Sequence, residues 1–392
     1  MSSDSGRARK PKARDVIDML QTRVDYSTSP GGGRVTMQFI EKQAIDGIDS
    51  FSPWDLSRLL TKYKKMRTRP GGALVEAIDQ HARGSIDKFD PRSLVSTIHA
   101  FATLNLPFSS DLSFAWQKQA MGEVGRFNAQ EISNSIWAFH RLGLRPRPDL
   151  LDAMEEQGVT QIQDFNPQNL SLTLHGLAKL GRKLGPELRE ALEERSVEVI
   201  GDFIPTNLAN TIWGYAWFQQ EPGSRMLEAL ERHSVRVMRS FKPQEVSTMM
   251  WGYGKIGLKP GDRLLAALED QLLRQIMGFH PQNLAQTMWG YAKFDGTPDP
   301  EVFRVLGLHT ITTARDFKTQ EIAQVLFAYG KMGKKPEREV LLALASQAQR
   351  RAGDFKKAER ANTIWGYAQL GEESISKTIW EDASDEEKPW QP

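Results

Sequence analysis

The chain has 392 residues, no cysteine and a formal net charge of +2. The missing thiols exclude disulfides, thiolate metal sites and cysteine nucleophiles. No window approaches about 18 uninterrupted apolar residues, so the sequence offers no transmembrane helix. Hydrophobic residues at 40% and charged residues at 26% make a globular composition with enough apolar mass for a core.

Residues 1–13 open the chain as a basic, serine-containing lead-in without an apolar stretch, which is not the pattern of a secretory signal. A disordered lead-in and the remnant of an organellar transit peptide both fit it. Residues 14–50 read as a divergent leading unit, with ArgValThrMetGlnPheIle at 34–40 opening its second helix. Gly31, Gly32 and Gly33 read as a flexible joint and lack the Lys-Ser/Thr of a phosphate loop.

A strict repeat then begins. Phenylalanine stands at Phe51, Phe89, Phe127, Phe165, Phe203, Phe241, Phe279, Phe317 and Phe355, always 38 residues apart. With Phe as position 1, position 3 is proline in six units, for example Pro167 and Pro243, and position 11 is Trp137, Trp213, Trp251, Trp289 or Trp365. Position 13 is aromatic in every unit except at Leu177. Proline suits the first turn of a helix, where its missing N–H would have no partner, and Asn166 before Pro167 is an N-cap. Positions 6, 7, 10, 11, 13 and 14 spread over an apolar arc of roughly 160°, the core-facing side of a helix. Gly143, Gly181, Gly257 and Gly333 stop that helix. A second helix follows, as in Asp262–Met277. A two-helix unit cannot bury its own apolar face, so neighbouring units must stack. The expected fold is all-α: an α-solenoid of 38-residue helix-turn-helix repeats over 51–371. The final unit is expected to lose its second helix after Gly371, and residues 372–392 to form an acidic, disordered tail. Residues 371–392 hold seven acids and two lysines, which leaves 49 basic against 42 acidic residues, net +7, in residues 1–370.

The segments FHPQNLAQTMWGYAKF (279–294), FIPTNLANTIWGYAWF (203–218) and FKPQEVSTMMWGYGKIG (241–257) resemble the octatricopeptide repeat family. The resemblance implies an RNA-binding protein of chloroplast or mitochondrion, acting in RNA processing, stability or translation. It implies single-stranded RNA as the partner, with RNA-processing or ribosomal proteins as further partners, and neither membrane nor small-molecule substrate.

Four rows share the face opposite the apolar arc, at positions 5, 8, 12 and 15. Position 5 holds Glu131, Asn169, Asn207, Glu245, Asn283 and Glu321. Position 8 holds Asn134, Asn210, Thr248, Gln286, Gln324 and Asn362, with Leu172 in one unit. Position 12 is Gly or Ala at Ala138, Gly176, Gly214, Gly252, Gly290, Ala328 and Gly366, and position 15 is basic at Lys65, Arg141, Lys179, Lys255, Lys293 and Lys331. Amides and carboxylates can read base edges, a small residue leaves room for a base, and a lysine row suits a phosphate backbone. Each row also has a plain structural reading: capping, close helix packing, and lysine at the negative end of a helix dipole. The tryptophans are expected in the inter-repeat core rather than stacked on bases. The histidines show no HxxxH or HExxH spacing and no nucleotide or nucleophile motif occurs, so the sequence offers neither catalytic candidates nor a cofactor site. The alternative reading is a protein–protein scaffold of HEAT or TPR type.

Overall fold

The computed structural model describes residues 10–26 and 36–380. The start of the lead-in, the Gly31–Gly33 joint and the end of the acidic tail lie outside the described residues. Every regular element among the described residues is helical. The leading unit supplies α1 (Ala13–Tyr26) and α2 (Met37–Asp46). The repeats contribute first helices α3 (Pro53–Met66), α5 (Pro91–Leu104), α7 (Ala129–Arg141), α9 (Pro167–Lys179), α11 (Pro205–Phe218), α13 (Pro243–Ile256), α15 (Pro281–Lys293), α17 (Thr319–Met332) and α19 (Lys357–Gln369). Their second helices are α4 (Gly72–Gly84), α6 (Ser110–Glu123), α8 (Pro148–Thr160), α10 (Pro186–Glu198), α12 (Ser224–Val237), α14 (Asp262–Gln275), α16 (Pro300–Thr313) and α18 (Arg338–Arg350). The short α20 (Glu373–Ile379) follows Gly371, where the sequence leads one to expect no second helix. It forms because Ile375, Ile379 and Trp380 have apolar surface to bury.

The chain divides into two compact units, Met1–Leu192 and Glu193–Pro392. In each, first helices pack on first helices and second helices on second helices: α1, α3, α5, α7 and α9 in the first unit, α11, α13, α15, α17 and α19 in the second. Each unit is therefore a solenoid of stacked hairpins.

Local chemistry explains the hairpin. The second helix tightens into a 3-10 turn, as at Ile276–Gly278, a step the periodicity alone does not show. Phe then enters with extended backbone and is buried, at 3% exposure or less in every unit from Phe51 to Phe317. The residue after it caps the next helix. A further tie recurs from unit to unit: a side chain at position 31 donates to the carbonyl of its own repeat's Phe. His81, His233 and His309 do so through a ring nitrogen, and Gln119, Gln157, Gln271 and Gln347 through their amides. This employs three of the seven histidines as structural donors. At the end of the first helix, position 17 adopts left-handed backbone in every unit. Gly257 does so without a Cβ penalty, whereas Arg67, Asn105, Gln219 and Asp295 accept it at φ 51–53°.

Successive hairpins are joined through a glutamate at position 29. Glu231 accepts from the Tyr253 hydroxyl at 3.0 Å and from the Gly261 backbone N–H at 3.1 Å, both in the following repeat. Glu41 serves Tyr63 and Gly71, Glu193 serves Tyr215 and Gly223, and Glu269 serves Tyr291 and Asp299 in the same way. Burial and the facing carboxylate raise the Tyr253 and Tyr291 hydroxyls well above the usual phenol range, which keeps them donors. Where position 29 is Asp79 or Gln117, the backbone bond survives and position 13 is Phe101 or Phe139, with no hydroxyl to satisfy. Where it is Ala345, the Tyr367 hydroxyl turns instead to the Leu341 carbonyl at 2.8 Å. One joint leaves its tyrosine unanswered. Position 29 is Gly307, and the buried Tyr329 hydroxyl has no hydrogen-bond partner among the described residues.

Two substitutions distinguish the intact joint from the broken one. Tyr253→Phe removes a donor from a half-enclosed carboxylate and is expected to cost about 1–3 kcal/mol. Tyr329→Phe removes an orphaned hydroxyl and is expected to be neutral or stabilising by about 1 kcal/mol. Urea unfolding of both variants checks the pair, and equal losses would remove the role assigned to position 29.

Candidate nucleic-acid interface

The first helices show where polar rows end up. Position 5 turns into the N-terminal cap. Glu131, Glu245 and Glu321 accept from the backbone N–H three residues earlier at 2.9, 3.0 and 2.8 Å. Asn169, Asn207 and Asn283 do the same at 3.2, 3.2 and 3.1 Å and are buried. Asn169 further donates to Ser133 Oγ at 2.9 Å, and Asn283 to Ser247 Oγ at 3.0 Å, tying each helix to the one before it. These side chains are occupied by the capping box, whose reciprocal bonds satisfy otherwise unpaired helix donors. That is a different task from the base reading expected of them.

Position 12 is closed as well. A Cβ on Gly290 would lie 2.4 Å from Met250 O, on Gly366 2.5 Å from Leu326 O, and on Gly252 2.5 Å from Ile212 Cγ2. The small residue admits the preceding helix, so the space is not left for a base. The outward stripe is instead made of positions 4, 8, 11 and 15. Their spacings of four, three and four residues keep them within roughly 60° of one another on a helix.

Position 4 is exposed in every repeat from Trp54 through Arg92, Gln130, Gln168, Thr206, Gln244, Gln282 and Gln320. The sequence reading does not contain this row; the recurrent glutamine one turn before position 8 is the signal that could have found it. At position 8, Asn134, Asn210, Gln286 and Gln324 are half-buried and Asn362 is exposed, while Thr248 is buried and accepts from Gln244 Nε2 at 3.1 Å. Gln286 uses its carbonyl to accept from Ser247 Oγ at 3.1 Å. Position 15 is exposed at Lys65, Arg141, Lys179, Lys293 and Lys331 and half-buried at Lys255. Lys293 Nζ sits 5.4 Å from the Trp289 ring and 5.3 Å from Phe327, and Lys331 lies 3.6 Å from Asp295.

The tryptophans depart most from expectation. The Phe row is core, but Trp137, Trp213, Trp251, Trp289 and Trp365 are only half-buried. In the second unit they form a surface ladder. Trp213 and Trp251 have ring centroids 6.2 Å apart at 26°, and Trp251 and Trp289 5.9 Å apart at 24°. Trp217 takes position 15 of its repeat, 48% exposed, and adds a ring 5.4 Å from Trp213 and 6.3 Å from Trp251. Phe327 and Trp365 continue the row at 5.1 Å. Position 11 lies at the edge of the apolar arc, one turn from positions 8 and 15. The indoles therefore take the rim of the arc rather than its centre.

In the first unit the same row is mixed. His99 lies 5.1 Å from Trp137, and His140 lies 6.2 Å from His175. Burial and Lys64 push His99 down to about 4, and burial with Lys179 and His140 pushes His175 down to about 4. Both rings are therefore neutral near pH 7, and the positive charge here comes from lysine and arginine.

The stripe can thus offer ring surface, amides and cations along one line within each unit. Among curated proteins no match is found. Among solved structures, an engineered protein from a structural genomics consortium is similar at 10% identity over 95% of this chain and 95% of its own, with a TM-score of 0.22. The pentatricopeptide repeat protein PPR10 in complex with an 18-nt psaJ RNA element is similar at 13% identity over 94% of this chain and 66% of its own, with a TM-score of 0.17. A family model, the RNA-editing substrate-binding complex 6 protein, matches residues 41–299, about two thirds of the sequence. The chain belongs to the RNA-editing substrate-binding complex 6 protein family.

Proposed function

We propose that the chain binds single-stranded RNA laid along positions 4, 8, 11 and 15 of its first helices. The observation that carries this reading is the half-exposed indole ladder Trp213–Trp251–Trp289, with Asn210 and Gln286 on one side of it and Lys255 and Lys293 on the other. Aromatic side chains offer bases a sequence-tolerant stacking surface, and a basic row tracks the phosphates. Adjacent rungs already lie within the roughly 4.5–7 Å range of paired aromatic rings. Bases would therefore rest on the outer edges of the ladder rather than enter between rungs. Beside the rings the stripe carries glutamine, asparagine and lysine, groups that can meet base edges and phosphates. The family name, RNA-editing substrate-binding, points the same way. The octatricopeptide-like signature adds an organellar setting, in chloroplast or mitochondrion, and work in transcript processing or stability.

In this reading the contacts come from Asn134, Asn210, Gln286, Gln324 and Asn362, from Arg141, Lys179, Lys255, Lys293 and Lys331, and from the added rows at positions 4 and 11. Asn169, Asn207, Glu245, Asn283 and Glu321 at position 5 are left to their caps.

Three measurements test it. Replacing Lys179, Lys255, Lys293 and Lys331 by Gln together is expected to weaken RNA binding and to flatten the slope of log K against log salt by about 0.7 for each phosphate no longer neutralised. An unchanged slope in filter-binding titrations would refute the lysine row. Trp251→Ala is expected to reduce affinity for a U-rich oligonucleotide by about 1–3 kcal/mol, the value of one base stacked on an aromatic ring. Its stability cost should fall below the roughly 3–5 kcal/mol of a fully buried aromatic; full affinity in anisotropy titrations would exclude the ladder. Asn210→Thr is expected to change base preference at one nucleotide of the consensus selected from a random RNA pool, whereas Asn207→Glu, which keeps a capping side chain, leaves the consensus as it was. The reverse pattern would return base reading to position 5.

A further inference from the structure

The first unit contains a cleft that the indole ladder would fill if it continued there. At position 11, α3 and α5 carry Thr61 and His99 in place of tryptophan, and the space left between α3, α5 and α7 measures about 420 Å³. That lies within the roughly 300–1,000 Å³ of small-ligand sites. Its walls are polar and of two kinds. The cations are Lys64 of α3 and Arg92 of α5. The Arg92 guanidinium lies over the Trp54 ring, 4.8 Å from its centroid, and its charge also acts on Asp90 and Glu131. Lys64 Nζ lies 2.9 Å from His99 Nδ1. With His99 neutral, Nδ1 accepts from the ammonium and the ring proton sits on Nε2. The amides and the carboxylate are Asn128, Glu131 and Asn134, on α7 and at its N-cap. Glu131 gives Oε2 to the Asn128 backbone N–H at 2.9 Å, and its Oε1 has no hydrogen-bond partner among the described residues.

Cationic donors facing a carboxylate acceptor form a pattern that only some bases can satisfy. Guanine presents two acceptors, O6 and N7, of the kind that arginine and lysine read, and two donors, N1–H and the N2 amine, that a carboxylate can accept from. Uracil has a single donor between two carbonyls, and adenine has no donor pair to offer the carboxylate. We propose that this cleft holds one guanine turned out of the bound strand, its O6/N7 edge toward Arg92 and Lys64 and its N1–H/N2 edge on Glu131. The proposal rests on the RNA reading above and adds a base-specific anchor in the first unit. The ladder of the second unit supplies sequence-tolerant stacking.

The test uses the full chain and labelled 12-nucleotide U-rich RNAs, roughly the length one strand of unpaired bases needs to span several repeats. One RNA carries no guanine, and a set carries a single guanine moved along the strand; all are titrated by fluorescence anisotropy at fixed salt. A guanine in register is expected to raise affinity roughly 5- to 100-fold, the span of one good bidentate base contact. Inosine, which lacks the N2 amine, and 7-deazaguanine, which lacks N7, should each forfeit part of that gain. Glu131→Gln should collapse the ratio of guanine-containing to guanine-free affinity toward one. Glutamine can keep the cap, since Asn169, Asn207 and Asn283 cap their own helices through an amide. Arg92→Gln, on α5, provides a second variant that leaves the hydrogen bonds of the α7 cap untouched. Tight binding with no guanine preference, or a preference that survives both variants, overturns the anchor and leaves the RNA reading standing. Failure to bind any of the RNAs overturns both.

Discussion

A carboxylate shared by two donors of the next repeat governs how hairpins sit on their neighbours. The glutamate at position 29 takes the tyrosine hydroxyl of the following first helix and the backbone N–H that opens the following second helix. Two donors, 22 and 30 residues further along the chain, cannot both be met unless the next hairpin arrives in one register. A single residue inserted between them would break one bond or the other, which gives a physical reason for the fixed spacing at the joints of Glu41, Glu193, Glu231 and Glu269. That register in turn decides which side of each first helix is walled in and which is left outward. The stripe of positions 4, 8, 11 and 15 is what remains once packing and capping have claimed the rest.

Much of the architecture is legible in the sequence because packing repeats itself. The phenylalanine row, the proline after it, the apolar arc and the glycine stops each obey a local rule, and each returns in the structure as core, first turn, buried face and left-handed cap. The outward face is less legible. Positions 5 and 12 lie opposite the arc on a helical wheel, and a wheel cannot show that the first turn folds its third side chain back onto the cap. Nor can it show that helices of adjacent repeats approach until Gly290 has no room for a Cβ. Trp251 departs from expectation for the converse reason. It belongs to the arc by angle, but it sits at the rim, where a large ring reaches both its neighbouring indoles and water. The 3-10 turns and α20 escape a sequence reading because neither leaves a periodic trace.

Along the stripe, positive charge does not depend on the histidines at position 11. His99 and His175, the histidines at position 11 of the stripe, are held neutral by burial and by adjacent lysines. The cations on the stripe are lysine and arginine, whose charge does not change across the physiological range. Electrostatic attraction along this face should therefore respond to salt far more than to pH.

The joint at Gly307 gives the second unit a seam. At the other joints a position-13 hydroxyl, where there is one, finds an acceptor, but between α16 and α17 it is buried with nothing to hold. In a stack whose stability is the sum of nearest-neighbour interfaces, the weakest interface sets where opening begins. Amide protons of α17, α18 and α19 should accordingly exchange with solvent as one cooperative block, released ahead of α11 to α15, with its edge at this missing clamp.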